Sequence, residues 1–300
     1  IVFYFLIQNG IFKNYNIVMD YKSLKTTAQK KKFWKENPLN GDISIEIDGF
    51  NEFKMKCLND DSVVKELYWT KFNGWEKTSL TLWKNLLEKI ESDSVILDVG
   101  AYSGIYSLIA SSYENVKHIY AFDIQDNCIN RLEENLQLNN ISNASIVKAA
   151  CSNSEDIIEF YYYEEEGIMS SVAGIVPKKM NNLKTSVNSI VLDSWSISES
   201  LKNIRLIKMD VEGAEQKTLL GMRDILRKDK PDILIEINDF KDVKKVKNIF
   251  PTGYKLYDIN EKSLEIKKLG LFSKPSKDRN YFFSTKSKKE LALIFEGTVS

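Results

Sequence analysis

The stretch VILDVGAYSGIYSLIA, Val95 to Ala110, decides the fold that the sequence predicts. Its opening VILDV is an apolar run typical of a buried strand, and its end has the apolar spacing of a helix. Between the two lie Asp98, Gly100 and Gly104, in a D-x-G-x-x-x-G pattern. In an open α/β sheet, a turn after a strand faces the crevice in which ligands bind. The sequence therefore predicts a ligand site at the end of this strand.

The alternation of strand and helix continues along the chain. The strand-like runs HIYAFD, ASIVKAA, IRLIKMD and DILIEI alternate with the helical segments DNCINRLEENLQLNN and AEQKTLLGMRDILRK. Such alternation predicts an α/β fold, a doubly wound and mostly parallel sheet covered on both faces. The runs GYKLYDI and RNYFFST are expected to complete the far edge of this sheet.

The first ninety residues have a different secondary-structure pattern, which predicts a separate region of the fold. DISIEIDG alternates like an edge strand, FKMKCL is expected to pair with it, and KTSLTLWKNLLEKI is an amphipathic helix that leads into Val95. We therefore expect an N-terminal α+β extension or cap over residues 1–90 and the main domain over residues 91–300.

An irregular stretch interrupts the alternation in the middle of the chain. The strand-like runs IIEFYYY and TSVNSIVLDSW flank a loop from Gly167 to Gly174. Long irregular insertions in compact domains are more often functional than idle, so we expect this loop to be a mobile lid over a bound ligand.

Composition narrows the classes of protein. The 42 basic residues balance the 42 acidic ones, so no net charge favours nucleic acid or an anionic membrane. Cys57, Cys128 and Cys151 lack metal-site spacing, which predicts free thiols and a reducing, cytoplasmic location. The opening IVFYFLI is too short to span a bilayer, so we expect no stable membrane insertion. The first residue is Ile1, which leaves open a start at Met19 or a longer chain with an anchor.

The acids at the strand ends indicate the kind of cofactor. The carboxylate of Asp98 would repel a pyrophosphate, but it suits the ammonium and sulfonium groups of S-adenosylmethionine. Asp123 ends the next strand, where a carboxylate can accept hydrogen bonds from both ribose hydroxyls, and glycine at 100 permits a close approach of the ligand. The alternative is that both acids only cap the following helices. We expect a cofactor site formed by Asp98, Gly100, Ala101, Tyr102, Ser103, Gly104, Asp123, Ile124 and Asp210.

A second group of acids is expected to carry the chemistry. S-adenosylmethionine is a methyl donor, and if its acceptor were a hydroxyl, a base would have to take the proton. The single histidine, His118, lies at the amino end of its strand, away from the crevice. That position also disfavours a Ser-His-Asp hydrolase and a histidine metal centre. We therefore expect catalytic roles for Asp210, Glu212 and Glu236, with Lys208 pairing with one of them and opposing the rise in their proton affinity.

Two simpler interpretations of these acids stay open. Asp210 and Glu215 could be ordinary capping residues of the next helix. The acids could also hold a divalent cation, but nothing in their spacing demands one, and we predict no metal.

Four blocks of the sequence resemble the FkbM-type family of S-adenosylmethionine-dependent methyltransferases. They are VILDVGAYSGIYSLIA, IYAFDIQDNCINRLEENLQLNN, VLDSW and IRLIKMDVEGAEQKTLLGM, and weaker similarity extends the match to roughly Ile43–Ser284. The resemblance implies a Rossmann-like class I methyltransferase fold and O-methylation of a sugar, a glycan or a natural-product hydroxyl. One departure is FDIQ, where the family commonly has a glutamate followed by proline. Asp123 carries the same charge on a shorter arm.

Two other functions are weighed against this one. RNA methyltransferases share the first two blocks. Those that act on base amino groups carry Asn-Pro-Pro-aromatic where this chain has KMDVEG. Those that attack carbon through a thiol need a cysteine at the same place, and this chain has none there. With zero net charge as well, we expect a small-molecule or glycan acceptor and no nucleic acid. The other alternative is a non-catalytic module that binds S-adenosylmethionine, against which the retained acids argue. The oligomeric state is left open.

Overall fold

The structure is a computed structural model that describes residues 21–71, 73–163, 169, 174, 179, 183–270 and 275–300. The chain divides into two compact units, Ile1–Trp75 and Glu76–Ser300. The second unit starts before residue 90, so the predicted helix KTSLTLWKNLLEKI belongs to it. Among the described helices, none has both the length and the apolar character needed to cross a bilayer. That the first unit acts as a cap stays a prediction.

In its described residues, the first unit includes a β-hairpin and the two helices that follow here. These elements are β1 (Asn40–Ile45), β2 (Phe53–Leu58), α1 (Thr27–Glu36) and α2 (Ser62–Trp69). The strands pair antiparallel, which confirms the predicted pairing of DISIEIDG with FKMKCL. Their alternating residues Ile43, Ile45 and Met55 are buried, as the period of two requires.

The second unit is built around one large sheet, beside a small one of three strands. The strands of the unit, in both sheets, are β3 (Ser94–Val99), β4 (Val116–Asp123), β5 (Ala144–Lys148), β6 (Ala150–Ser152), β7 (Ile157–Tyr162), β8 (Leu183–Val191), β9 (Ile204–Met209), β10 (Asp232–Glu236), β11 (Lys255–Asn260), β12 (Glu265–Lys268), β13 (Asn280–Ser284) and β14 (Thr298–Val299). Its helices are α3 (Lys77–Leu87), α4 (Ile105–Ser111), α5 (Asp126–Leu138), α6 (Leu192–Ser198), α7 (Glu215–Leu220), α8 (Arg223–Lys228), α9 (Phe240–Lys247) and α10 (Lys288–Ala292).

The strand order confirms the predicted fold class. In the described residues the large sheet has the order β14-β12-β11-β13-β10-β9-β3-β4-β5. Strands β5, β4, β3, β9 and β10 are parallel, and β13 pairs antiparallel with β10. The chain winds outward from β3 in both directions, so the carboxyl ends of β3, β4, β9 and β10 meet at one edge. The predicted strands VILDV and DILIEI are buried along nearly their whole length.

Two segments differ from the prediction. The run ASIVKAA forms two strands, because the chain leaves the large sheet after β5 and β6 joins a small sheet of order β6-β8-β7. The helical segment AEQKTLLGMRDILRK is broken into α7 and α8 at Gly221. A Cβ atom at Gly221 would lie 2.0 Å from the carbonyl oxygen of Ser152 on β6, so close packing of two backbones sets the break.

The far edge of the sheet extends further than predicted. β11 and β13 are present as expected, but the connection between them contains β12, which pairs antiparallel with β11. The short strand β14 then pairs parallel with β12 and forms the outer edge in the described residues.

The turn after β3 packs against the end of β9 without space for a side chain. Gly100 has φ +84°, and a Cβ atom there would lie 1.8 Å from the carbonyl oxygen of Asp210. The amide of Asp210 also donates to the carbonyl of Val99 at 2.8 Å. Glycine is therefore needed at this position for contact with the protein's own backbone.

We predict that Gly100→Ala is strongly destabilising. The matched control is Gly253→Ala, where φ is +109° and no atom lies within 4 Å of the added Cβ. Both variants incur the backbone cost of about 1–2 kcal/mol for an L-residue at positive φ, but only Gly100→Ala adds the clash. Urea unfolding should show a free-energy loss for Gly100→Ala that exceeds the control by about 2 kcal/mol or more. Equal losses would contradict the packing described here.

Candidate active site

The carboxyl ends of the central strands bring the predicted site residues to one edge. The amides of Gly100 and Ala101 both donate to the carbonyl of Phe122, at 2.9 Å, which ties the turn after β3 to β4. The contact between Gly100 and Asp210 ties the same turn to β9. The predicted cofactor residues and the predicted base are thus held side by side by backbone contacts.

Asp123 holds the turn in place at the tip of β4. One carboxylate oxygen, Oδ2, accepts from the amide of Tyr102 at 2.9 Å. The other, Oδ1, accepts from the amides of Ile124 and Gln125 at 2.7 and 3.0 Å. A carboxylate offers about four acceptor positions, so these bonds leave about one for a ligand hydroxyl. Burial raises the pKa of Asp123, although its three backbone hydrogen bonds oppose the rise.

Asp98 faces the following helix. Its Oδ2 accepts from the amide of Ser107 at 3.1 Å and from the Ser107 hydroxyl at 2.6 Å, and its side chain is buried. Burial raises the pKa of Asp98 to about 6, opposed by the Ser107 hydrogen bond and the charge of Lys208. This is the capping contact that the sequence left open as an alternative. A contact of Asp98 with the cofactor's ammonium stays a prediction.

The remaining residues of the turn are fitted closely to α5. Gly104 has φ +92°, and a Cβ atom there would lie 2.2 Å from Leu132. Ser103 is buried, its carbonyl accepts from the side-chain amide of Asn135 at 2.8 Å, and its hydroxyl oxygen has no hydrogen-bond partner in the described part of the chain. A buried hydroxyl without a partner in this turn fits a site that binds a polar ligand.

Three carboxylates converge beside the turn. Glu76 before α3, Asp210 after β9 and Glu236 at the end of β10 each place an oxygen within 4.8 Å of the others. One oxygen of Asp210, Oδ1, is buried with no hydrogen-bond partner among the described residues. The structure thus brings together two predicted catalytic acids and a third that the sequence did not indicate.

Lys208 supplies a positive charge to this cluster. Its side chain is only 4% exposed, and its Nζ lies 3.7 Å from Oε2 of Glu76 and 4.9 Å from the ring centre of Tyr106. Burial alone would lower the pKa of Lys208, but the surrounding carboxylates outweigh it and raise that pKa, with Glu76 the largest contributor. Lys208 therefore stays an ammonium at neutral pH.

The two predicted acids of the cluster are both harder to ionise than a free carboxyl group. Burial raises the pKa of Asp210, and the charges of Glu212 and Glu76 add to the rise while Lys208 opposes it. Burial also raises the pKa of Glu236, and the charge of Asp210 adds to it. Raised proton affinity is what a carboxylate base working near neutral pH requires.

Glu212 lies at the rim. It has a left-handed backbone, φ 52°, and its Oε2 accepts from the side-chain amide of Asn238 at 3.0 Å. Arg279 donates to Asn238 and pairs with Glu236 at 3.0 Å. These polar contacts, which the sequence did not predict, link Glu212 to Glu236 through Asn238 and Arg279.

Glu215 behaves as a helix-start residue. It is buried on α7, and its Oε1 accepts from the amide of Gly213 at 2.8 Å. Burial raises its pKa to about 7. The helix has no side-chain cap, but Glu215 is an acid in its first turn, which is the part of the capping alternative that the structure shows.

The predicted lid falls mostly outside the described residues. Of the loop from Gly167 to Gly174, the structure describes Met169 and Gly174. The hydroxyl of Tyr102 donates to the carbonyl of Met169 at 3.3 Å, and Gly174 forms an antiparallel bridge with Tyr161. The flanking strands β7 and β8 pair antiparallel. Closure of the loop stays a prediction.

Comparison with known proteins identifies the family. The profile of the Methyltransferase FkbM domain matches residues 98–256, more than half of the chain. The chain belongs to the FkbM methyltransferase family. It is an S-adenosylmethionine-dependent methyltransferase, and S-adenosylmethionine is its cofactor. The turn from Gly100 to Gly104, with Asp123 beside it, is where this FkbM-family chain is expected to hold that cofactor.

Individual relatives are distant. The 2-O-methyltransferase NoeI of Sinorhizobium fredii (strain NBRC 101917 / NGR234) is 24% identical over 164 residues, covering 50% of this chain and 67% of NoeI. A ribosomal protein L11 methyltransferase of Thermoanaerobacter sp. (strain X514) is 33% identical over 76 residues, 25% of this chain and 24% of that protein. The solved structure of methyltransferase FkbM from Methylobacillus flagellatus KT has 16% identity and a TM-score of 0.41, covering 74% of this chain and 52% of that one.

We predict that Asp123→Asn weakens binding of S-adenosylhomocysteine by about tenfold or more. The neutral amide loses the charged acceptor and cannot accept from all three backbone amides. The control is Asp126→Asn on the exposed start of α5, where the carboxylate pairs with Lys148. Calorimetry on both folded variants measures the difference, and unaltered affinity in Asp123→Asn would remove Asp123 from the cofactor site.

Proposed function

We propose that this methyltransferase transfers a methyl group to a hydroxyl oxygen of a sugar, glycan or natural product, with a carboxylate as the proton acceptor. The observation that carries the proposal is the convergence of Asp210, Glu236 and Lys208 beside the turn from Gly100 to Gly104, the cofactor turn. The 2-O-methylation that the name of NoeI gives it points the same way.

Each residue of the cluster has a role that its chemistry suggests. When bound, S-adenosylmethionine supplies an electrophilic methyl group on its sulfonium. Asp210, with Glu236 as the alternative base, would take the proton of the acceptor hydroxyl as the methyl group passed from sulfur to the acceptor oxygen. Lys208 provides an N–H donor for the acceptor oxygen as negative charge develops on it. Glu212 at the rim can accept a hydrogen bond from a second hydroxyl of the acceptor.

Attack through a thiol has no support in this cluster. Cys57, Cys128 and Cys151 are all buried, and Cys151 lies on β6 in the small sheet. Burial raises the pKa of the Cys151 thiol, which disfavours the thiolate that a nucleophile requires.

That the site holds no metal ion stays a prediction. The positive charge of Lys208 already lies among the three carboxylates, which weakens the case for a cation there.

RNA remains the second candidate acceptor. The protein has no net charge to favour a polyanion, and the acidic cluster at the site would repel phosphates. A panel that contains neutral oligosaccharides and unmodified ribosomal RNA, each incubated with isotope-labelled S-adenosylmethionine, separates the two. Labelling of RNA alone would replace the glycan proposal.

We predict that Asp210→Asn lowers kcat by about a hundredfold or more while affinity for S-adenosylhomocysteine changes little. The amide keeps the shape of the side chain but cannot take the proton. The control is Asp224→Asn, which removes one exposed charge from α8, where the carboxylate contacts Arg227. Normal turnover in Asp210→Asn would transfer the role of base to Glu236 or Glu212.

The pH dependence of the parent enzyme provides a further check on this base. A base acts only when deprotonated, and burial with neighbouring charges raises the pKa of Asp210 and Glu236. Turnover should therefore rise with pH through a limb well above the usual carboxyl range of about 4. A limb at or below about pH 4 would contradict a base in this cluster.

A further inference from the structure

The helix α3 begins with an unusual cap. Its N-cap residue, Glu76, has a left-handed backbone, φ 39° and ψ 39°, and its side chain makes no capping hydrogen bond. The amides of Thr78 and Ser79 in the first turn of α3, which have no partner within the helix, donate instead to Oε2 of Glu261, at 2.8 and 3.2 Å. Glu261, from the end of β11, thus satisfies the amides that an N-cap side chain normally serves. The carboxylate of Glu76 is left available for another contact.

Glu76 uses its carboxylate to hold two groups at the active-site edge. Its Oε2 accepts from the hydroxyl of Tyr106 at 2.5 Å and lies 3.7 Å from Nζ of Lys208. The ring of Tyr106 packs against the same ammonium, with its centre 4.9 Å away. Glu76, Tyr106 and Lys208 therefore contact one another, although they come from three places in the chain: the residue before α3, the helix α4 and the strand β9.

Lys208 keeps its donors available in this arrangement. Among the residues that the structure describes, its Nζ makes the ion pair with Glu76 and the ring contact with Tyr106, but no hydrogen bond. An ammonium that is almost fully buried normally fills its donor positions. Donors without a protein partner at this depth can meet an oxygen of a bound molecule.

We propose that Glu76 is a positioning residue, which holds the Lys208 ammonium against Tyr106 so that an N–H of Lys208 meets the acceptor oxygen during methyl transfer. This inference rests on the proposed O-methylation. Glu76 itself acts through Lys208. The left-handed conformation of Glu76 is the local cost of the arrangement, because a non-glycine residue at positive φ is strained.

The charges around Lys208 define how loss of Glu76 should be observed. Among the described residues, the groups that act most strongly on Lys208 are the ring of Tyr106 and the carboxylates of Glu76 before α3, Asp98 on β3, Asp210 after β9 and Glu236 on β10. Glu76 also adds to the raised pKa of Asp210 and of Glu236. Removing its charge therefore lowers the pKa of Lys208 and lowers those of both acids. Both limbs of the pH–turnover profile should move to lower pH.

The test compares Glu76→Gln with Glu88→Gln at the other end of α3. The glutamine introduced by Glu76→Gln would still accept from Tyr106, so only the charge is lost, whereas Glu88 is exposed and lies 4.0 Å from Lys84. Two quantities are measured in the whole protein: the pKa of Lys208, from NMR of 13C-labelled lysine, and kcat against pH. We expect Glu76→Gln to lower the Lys208 pKa by about one to three pH units and to move both limbs down, with Glu88→Gln unchanged.

The outcomes separate this inference from the function on which it rests. A uniform loss of kcat with unmoved limbs, or an unchanged pKa of Lys208, would overturn the positioning role. A lowered pKa of Lys208 in a protein that methylates no hydroxyl acceptor would overturn the proposed function and, with it, the acceptor contact of Lys208.

A second pair of variants covers the case in which Glu76→Gln does not fold. Glu76→Asp keeps the charge and should keep the limbs near their parent positions. Lys208→Arg replaces the ammonium by a group that stays protonated at accessible pH, so the alkaline limb should disappear. An alkaline limb that persists in Lys208→Arg would overturn the proposal.

Discussion

The contact between Gly100 and Asp210 is the constraint on which the site depends. The carbonyl oxygen of Asp210 occupies the space where a side chain at position 100 would begin, and the Asp210 amide bonds to Val99. The cofactor turn and the acid at the end of β9 are therefore fixed to each other by main chain, which has little freedom to adjust. Placing a base beside a methyl donor needs this kind of rigidity, because misplacement by an ångström lowers the rate steeply.

The charge arrangement follows from that placement. Once Asp210 is fixed, Glu236 on the neighbouring strand and Glu76 before α3 lie close to it, and Lys208 sits among them. Burying several charges together is costly and seldom adds stability. Such a cluster fits a role in catalysis better than a role in stability. In the proposed transfer to a hydroxyl, the raised pKa of the acids and the charged ammonium are both useful.

Much of the fold could be predicted because the core strands carry strong local signals. VILDV, IRLIKMD and DILIEI are rich in apolar residues and bounded by turn residues, and they form β3, β9 and β10. The break between α7 and α8 could not be predicted, since it depends on the approach of the Ser152 backbone from β6. The strand β12 was missed because it is short and mostly polar, and β14 because it has only two residues; both are defined by their pairing with neighbouring strands.

The grouping of residues at the candidate site could be predicted for those that lie at strand ends, but not for those that come from other parts of the chain. Asp210, Glu236 and Lys208 were found because parallel strands present their carboxyl ends at one edge. Glu76 precedes a helix ahead of the first core strand, and its role depends on Glu261 taking over the helix cap. The sequence does not show that Glu261 replaces Glu76 as the capping residue of α3. Asp98 shows the opposite case, because its position was predicted but its side chain turns to Ser107.

The most direct test of this account is a crystal structure with S-adenosylhomocysteine and a hydroxyl acceptor. The account predicts the ribose beside Asp123, the sulfur at the edge formed by the turn after Gly100, and the acceptor oxygen within hydrogen-bond distance of Asp210 or Glu236 and of Lys208. A cofactor bound at another edge of the sheet, or an acceptor hydroxyl that contacts none of these three residues, would contradict it.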